Sequence, residues 1–157
     1  MKVINPLPGW SQPDAIEEWG ENVSPPLKDA WRDYIHYYIH PDVVTAVGRL
    51  LVPAFVEYEG GVFLQDQFTL SGYSRWKEEL GDITAVEKIL NHQHVYDLFG
   101  ATGEITEASF EKVANLMAQT LRLALRDSFP DRSFNVYVSN TDQDYGPIVG
   151  FHSADGI

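Results

Sequence analysis

The sequence predicts an α+β fold, with helices packed on one face of about four mainly antiparallel strands arranged as two hairpins. Three observations carry this. Short apolar segments flank Gly60-Gly61, a second alternating pair flanks Asn140 to Gly146, and a long amphipathic segment from Thr106 to Ser128 needs an apolar sheet face to cover. The chain has 157 residues, 44% of them hydrophobic and 22% charged. That suits one globular domain over residues 1–157, with a Pro-rich arm over residues 1–12.

Pro6, Pro8 and Pro13 keep the opening extended, with Trp10 and Trp19 as anchors, and Pro13 can open a short helix that ends at Gly20. Ser24-Pro25 reads as the next helix start, a capping hydroxyl followed by proline at the first helical position. Leu27, Trp31, Tyr34, Ile35 and Tyr38 then share one apolar face, and His40-Pro41 ends the helix. Pro41 opens another helix, with Val43, Val44, Val47, Leu50 and Leu51 on its buried face, that stops before Pro53.

Residues 55–59 and 62–66 form the first hairpin around Gly60-Gly61, since a tight primed turn needs positive φ. Glu57 and Glu59 fall together on its wet face. Tyr73 to Leu80 and Ile83 to Asn91 read as helices, the first closed by Gly81 and the second capped by Asp82. Trp76, Leu80, Val86, Ile89 and Leu90 are their buried positions. A short apolar piece, Val95 to Phe99, leads into a loop from Ala101 to Glu104.

The strongest helical pattern follows. Thr106 caps it, Ile105 and Phe110 form a hydrophobic staple, and Phe110, Val113, Ala114, Met117, Leu121, Ala124 and Leu125 make a continuous stripe before Pro130. In the tail, Phe134, Val136 and Val138 alternate with polar or amphipathic neighbours, and Ile148 to His152 returns after the turn.

The chain has no cysteine, so disulfides and thiolate metal sites are excluded. The opening residues hold no apolar run of signal-peptide length, no segment is long and apolar enough to span a bilayer, and a cytoplasmic setting is expected. The formal net charge of −12 repels nucleic acid and anionic membranes and favours a basic protein partner.

Motifs with chemistry are few. His36 and His40 sit four apart, a spacing that can chelate zinc, but Tyr37 stands where a zinc-protease helix would carry glutamate. His92-Gln93-His94 is a second pair. Asn140, Asp142 and Asp144 imitate the start of a calcium loop. Tyr145 and Phe151 then occupy the positions that need glycine and glutamate, so a polar turn is expected. Glu57, Glu59 and Asp66 read as solvent-facing carboxylates. Ser153 and Asp155 adjoin His152 without forming a triad, and neither a Gly-x-Ser-x-Gly elbow nor a phosphate loop occurs. No cofactor and no metal are expected.

The four tryptophans all lie in the first half, among many tyrosines, and Tyr37 falls off the apolar face of its helix. In size, charge and lack of motifs the chain is similar to toxin-neutralising immunity proteins, a likeness of type carried by no family motif. The leading expectation is a non-enzymatic acidic binding module that uses Tyr37, His36, His40, Glu57 and Glu59. A metal- or ligand-dependent enzyme built on His36, Tyr37, His40, His92 and His94 is the first alternative, and a homo-oligomer subunit the second.

Overall fold

A computed structural model describes residues 2, 4–7, 9–100, 105–141 and 143–154. Among the described residues the fold is α+β, with six α-helices and five strands in two antiparallel sheets. The chain divides into two compact units, Met1–Gly48 and Arg49–Ile157. Pro8, Asp142, Asp155 and the expected loop at Ala101 to Glu104 lie outside the described residues.

In the first unit, α1 (Asp14–Asn22) starts after Pro13 and runs past Gly20. Gly20 is buried because residue 30 folds back on it: a Cβ there would lie 2.6 Å from the Ala30 methyl, and Leu27 N–H donates to Gly20 O at 2.9 Å. The second helix, α2 (Trp31–Tyr38), begins at Trp31 rather than at Pro25. Pro26 bars Pro25 from the helical region, and Asp29 has φ of 53°. The Gln12 side chain, from the opening arm, caps Trp31 N–H at 3.1 Å in place of Ser24.

Ile39 is extended and breaks the chain before α3 (Pro41–Leu51). Helix formation there is as expected, but its buried face is not. Val43, Val44 and Val47 are exposed, and only Leu50 and Leu51 of the last turn, which belong to the second unit, pack on that unit's core.

The second unit begins with the hairpin β1 (Phe55–Tyr58) and β2 (Gly61–Leu64). Its turn residues are Glu59 and Gly60, both with positive φ (47° and 83°), one position earlier than predicted. Gly61 serves a different purpose. A Cβ on it would meet the Phe63 ring at 2.6 Å and Ile83 at 3.0 Å, so it makes room under that ring. Glu59 therefore leaves the strand and no longer shares a face with Glu57.

Helices α4 (Leu70–Leu80) and α5 (Ile83–Leu90) follow, the latter capped by Asp82 at 2.8 Å from Ala85 N. Next comes β3 (Gln93–His94), which pairs with Val149 and Ile148. Two residues are too few to show alternation, so this fifth strand was not legible beforehand. A 3₁₀ turn (Val95–Leu98) leads to α6 (Glu107–Ser128), capped by Thr106. The tail hairpin is β4 (Phe134–Ser139) with β5 (Ile148–Ser153), and the sheet order is β3-β5-β4.

Every residue of β2 is buried. Phe63 points into a cluster with Tyr73 and Val86. Val62 and Leu64 point the other way, into the main core with Met117, Leu121, Val149 and Phe151. A strand covered on both faces reads as a continuous apolar run, as Gly61–Leu64 does.

Two buried polar residues, Glu87 of α5 and Asn91 at its C-cap, complete this arrangement. Glu87 accepts from Val62 N at 2.8 Å, from Ser153 N at 2.7 Å and from the Ser153 hydroxyl at 2.9 Å. Asn91 accepts from Leu64 N at 2.9 Å, and donates to Val62 O at 2.8 Å and to Phe151 O at 3.4 Å. One helical turn apart, they bind backbone groups of β2 on one side and β5 on the other. They take the place of a strand between two sheets that do not pair directly.

Candidate functional site

The first unit presents the more unusual surface. Trp19 of α1 lies edge-on to Tyr34 and Tyr38 of α2, with ring centroids 5.3 and 5.6 Å apart, and its indole N–H donates to the Tyr38 hydroxyl at 3.3 Å. Tyr37 tilts against the same indole at 6.5 Å and against His36 at 4.9 Å. Trp10 stands edge-on to Trp31 at 6.2 Å. Large rings normally supply a core, yet α2 has no buried residue. Tyr37 is 68% exposed and Tyr38 60%. The expectation that Tyr38 lies on a buried stripe therefore gives way: Trp31 and Tyr34 are half-buried, and Tyr38, held by ring contacts, is open to solvent.

The remaining site residues proposed from sequence are distributed as follows. His36 lies on α2 beside Tyr37, but His40 lies beyond the break at Ile39. Its Nδ1 accepts from Asp42 N at 3.2 Å, and the Asp42 carboxylate is 3.4 Å away. The two histidines do not share one helix, so the i, i+4 chelating geometry is lost. Glu57 accepts from Arg132 at 3.1 Å, and the same guanidinium donates to Gly60 O at 2.8 Å and to the Ser153 hydroxyl at 3.0 Å.

Glu59 accepts from the Tyr73 hydroxyl at 2.8 Å. Burial, and next the bond to Glu59, push the Tyr73 phenol up to about 12 from its ordinary 10.0. A phenol whose pKa is raised on folding contributes stability that is complete below the unfolded value and is lost as pH climbs through the folded one. Denaturant midpoints are therefore expected to fall between pH 10 and about 12. Tyr73→Phe should flatten that limb, and an unchanged alkaline limb in the variant would assign the fall to another group.

His92 and His94 stand with ring centroids 5.3 Å apart, each held by a backbone carbonyl: His92 Nδ1 is 2.6 Å from Ile89 O, and His94 Nδ1 is 3.3 Å from Tyr145 O. Among the described residues no group of three or more His, Asp or Glu side chains is arranged to hold a metal ion. Asp144 closes the turn of the tail hairpin. Its carboxylate accepts from the Ser139 hydroxyl at 2.6 Å and from Thr141 N at 2.8 Å, and these bonds hold its pKa below the ordinary value. One cavity, lined by Leu50, Leu64, Met117, Leu121 and Val149 among others, has a volume of about 10 Å³, at the margin of holding a single water. No helix among the described residues is long and apolar enough to cross a membrane.

Sequence reasoning missed Glu87, Asn91 and Arg132. The first two carried a signal. With Ile83, Val86 and Leu90 they fall on the apolar face of α5, and a polar residue on such a face is either an error of register or a buried hydrogen-bonding group. Arg132 carried none, because its partners lie 21 to 75 residues away.

Comparison of the chain with protein-family models, with curated proteins and with solved structures finds no match.

Proposed function

We propose that the chain is a non-enzymatic binding module of inhibitor or immunity-protein type, and that it captures a basic protein through the aromatic face of α1 and α2. The observation that carries this reading is the exposure of Tyr37 and Tyr38 on rings already fixed by Trp19. A tyrosine held in place loses little side-chain freedom on binding, which is why such residues dominate interface energetics. Asp33 lies one helical turn before Tyr37, and the chain carries 23 acidic against 11 basic residues. Arginine and lysine side chains suit both features, pairing with carboxylates and stacking on phenol rings.

The test uses the whole chain as bait in a lysate of its source at low salt, followed by a salt gradient and identification of what elutes. One stoichiometric basic protein is expected. Tyr37→Ala should weaken its capture about tenfold or more, the effect of losing a hot-spot ring, with the unfolding transition unchanged. Capture indifferent to both salt and Tyr37→Ala would sink this reading.

A further inference from the structure

The β4 strand ends its sheet with an outer edge that carries none of the usual guards. In the β4–β5 ladder Ala154 N–H donates to Ser133 O at 2.9 Å, and Asn135, Tyr137 and Ser139 lie opposite His152, Gly150 and Ile148. In an antiparallel ladder alternate residues exchange hydrogen bonds with the partner strand. The backbone groups of Phe134, Val136 and Val138 therefore turn away from β5, and among the described residues no strand pairs with β4 on that side. Such a row is a template for another strand, and natural edges are normally blunted by lysine, glutamate, proline or a bulge. Residues 134–139 read Phe-Asn-Val-Tyr-Val-Ser, without a charge or a proline.

The protection comes instead from another element. Arg122 of α6 reaches the edge, and its Nη2 donates to Val136 O at 3.0 Å, the central outward acceptor of the strand. An incoming strand needs that carbonyl and finds it taken by a charged donor.

We propose that Arg122 holds the β4 edge closed against a second copy of this chain, and that without it two copies join edge to edge. The occupant follows from symmetry. Antiparallel pairing about Val136 sets Val136 against its own counterpart and Phe134 against Val138 in both directions, so all three outward residues of each strand are satisfied at once in an isologous contact. The facing side chains are aromatic and β-branched, the favourable cross-strand types, and uncharged, so the acidity of the chain places no like charges opposite each other within the strand pair.

Arg122→Met keeps the aliphatic stem and removes the donor. Light scattering over a range of concentrations is expected to show a concentration-dependent doubling of mass in Arg122→Met that the wild-type chain does not show. Adding Val136→Pro should abolish it, because proline there removes an outward N–H without touching the bonds to β5. A folded Arg122→Met with the mass of the wild type at every concentration would overturn the proposal, as would doubling that survives Val136→Pro. Should Arg122→Met fail to fold, Arg122→Leu, which also lacks a donor, takes its place under the same two readings.

Discussion

Glu87→Ala is expected to lower unfolding free energy by about 3–5 kcal/mol, the cost of stranding several buried donors at once. The two backbone amides that Glu87 accepts from, Val62 N and Ser153 N, belong to buried residues on different strands. The alanine leaves both without an acceptor and opens a void where the carboxylate lay. Glu87→Gln is a sharper probe. Both oxygens of Glu87 act as acceptors, so an amide nitrogen placed at either position meets an N–H head on. A loss of about 2 kcal/mol is expected even though the shape is preserved. Asn91→Ala should cost about 2–4 kcal/mol by the same reasoning, since Leu64 N and Val62 O lose their partner. Urea unfolding of the three variants decides it. A Glu87→Gln as stable as the wild type would mean that the carboxylate is not needed as a double acceptor.

The α+β class, the caps at Thr106 and Asp82, the stripe of α6 and both hairpins were legible because each rests on neighbours in sequence. Three expectations failed, each because periodicity and local motifs do not show what a residue packs against. Gly61 was read as a turn glycine, but the Phe63 ring needs its missing side chain, and the turn moved to Glu59 and Gly60. Ser24 was read as a cap, but Pro26 and Asp29 delay α2 and Gln12 supplies the cap from across a loop. Val43, Val44 and Val47 follow a helical period that predicts amphipathicity correctly and burial incorrectly, since periodicity says which side is apolar and not whether anything covers it. Of the residues proposed for the site, the exposure of Tyr37 was legible from its position off the stripe. The open state of Tyr38 beside it could not be read, because a ring on the stripe looks the same in sequence whether its partner is a core or a lone indole.

Phe151→Ala should cost about 3–5 kcal/mol, the usual loss for truncating a fully buried ring. Phe151 is inaccessible to solvent and lies edge-on to Phe55 at 5.9 Å and to Phe134 at 5.8 Å, so no single neighbour can move in to fill the gap. Phe151→Leu, which keeps most of the volume, should lose less than about 1.5 kcal/mol. Phe63→Ala is expected to match the alanine figure in the other cluster, where the ring contacts Phe68 and Tyr73. The two rings share no aromatic partner and lie in clusters on opposite faces of β2. The double variant should therefore equal the sum of the singles to within about 0.5 kcal/mol. Coupling well above that would show that the two clusters respond as one.

The side-chain bridge from α5 also bears on how the second unit opens in the native state. Val62, Leu64 and Ser153 amides sit in strands, yet their hydrogen bonds run to one eight-residue helix and its C-cap residue Asn91. Detaching α5 would release protons on both hairpins in a single event, so these three amides should exchange at a common rate that differs from those of their neighbours within each ladder. The hairpins, each closed by its own turn, would then stay folded as two separate cooperative pieces, with α5 as the shared latch whose departure is the first step of their parting.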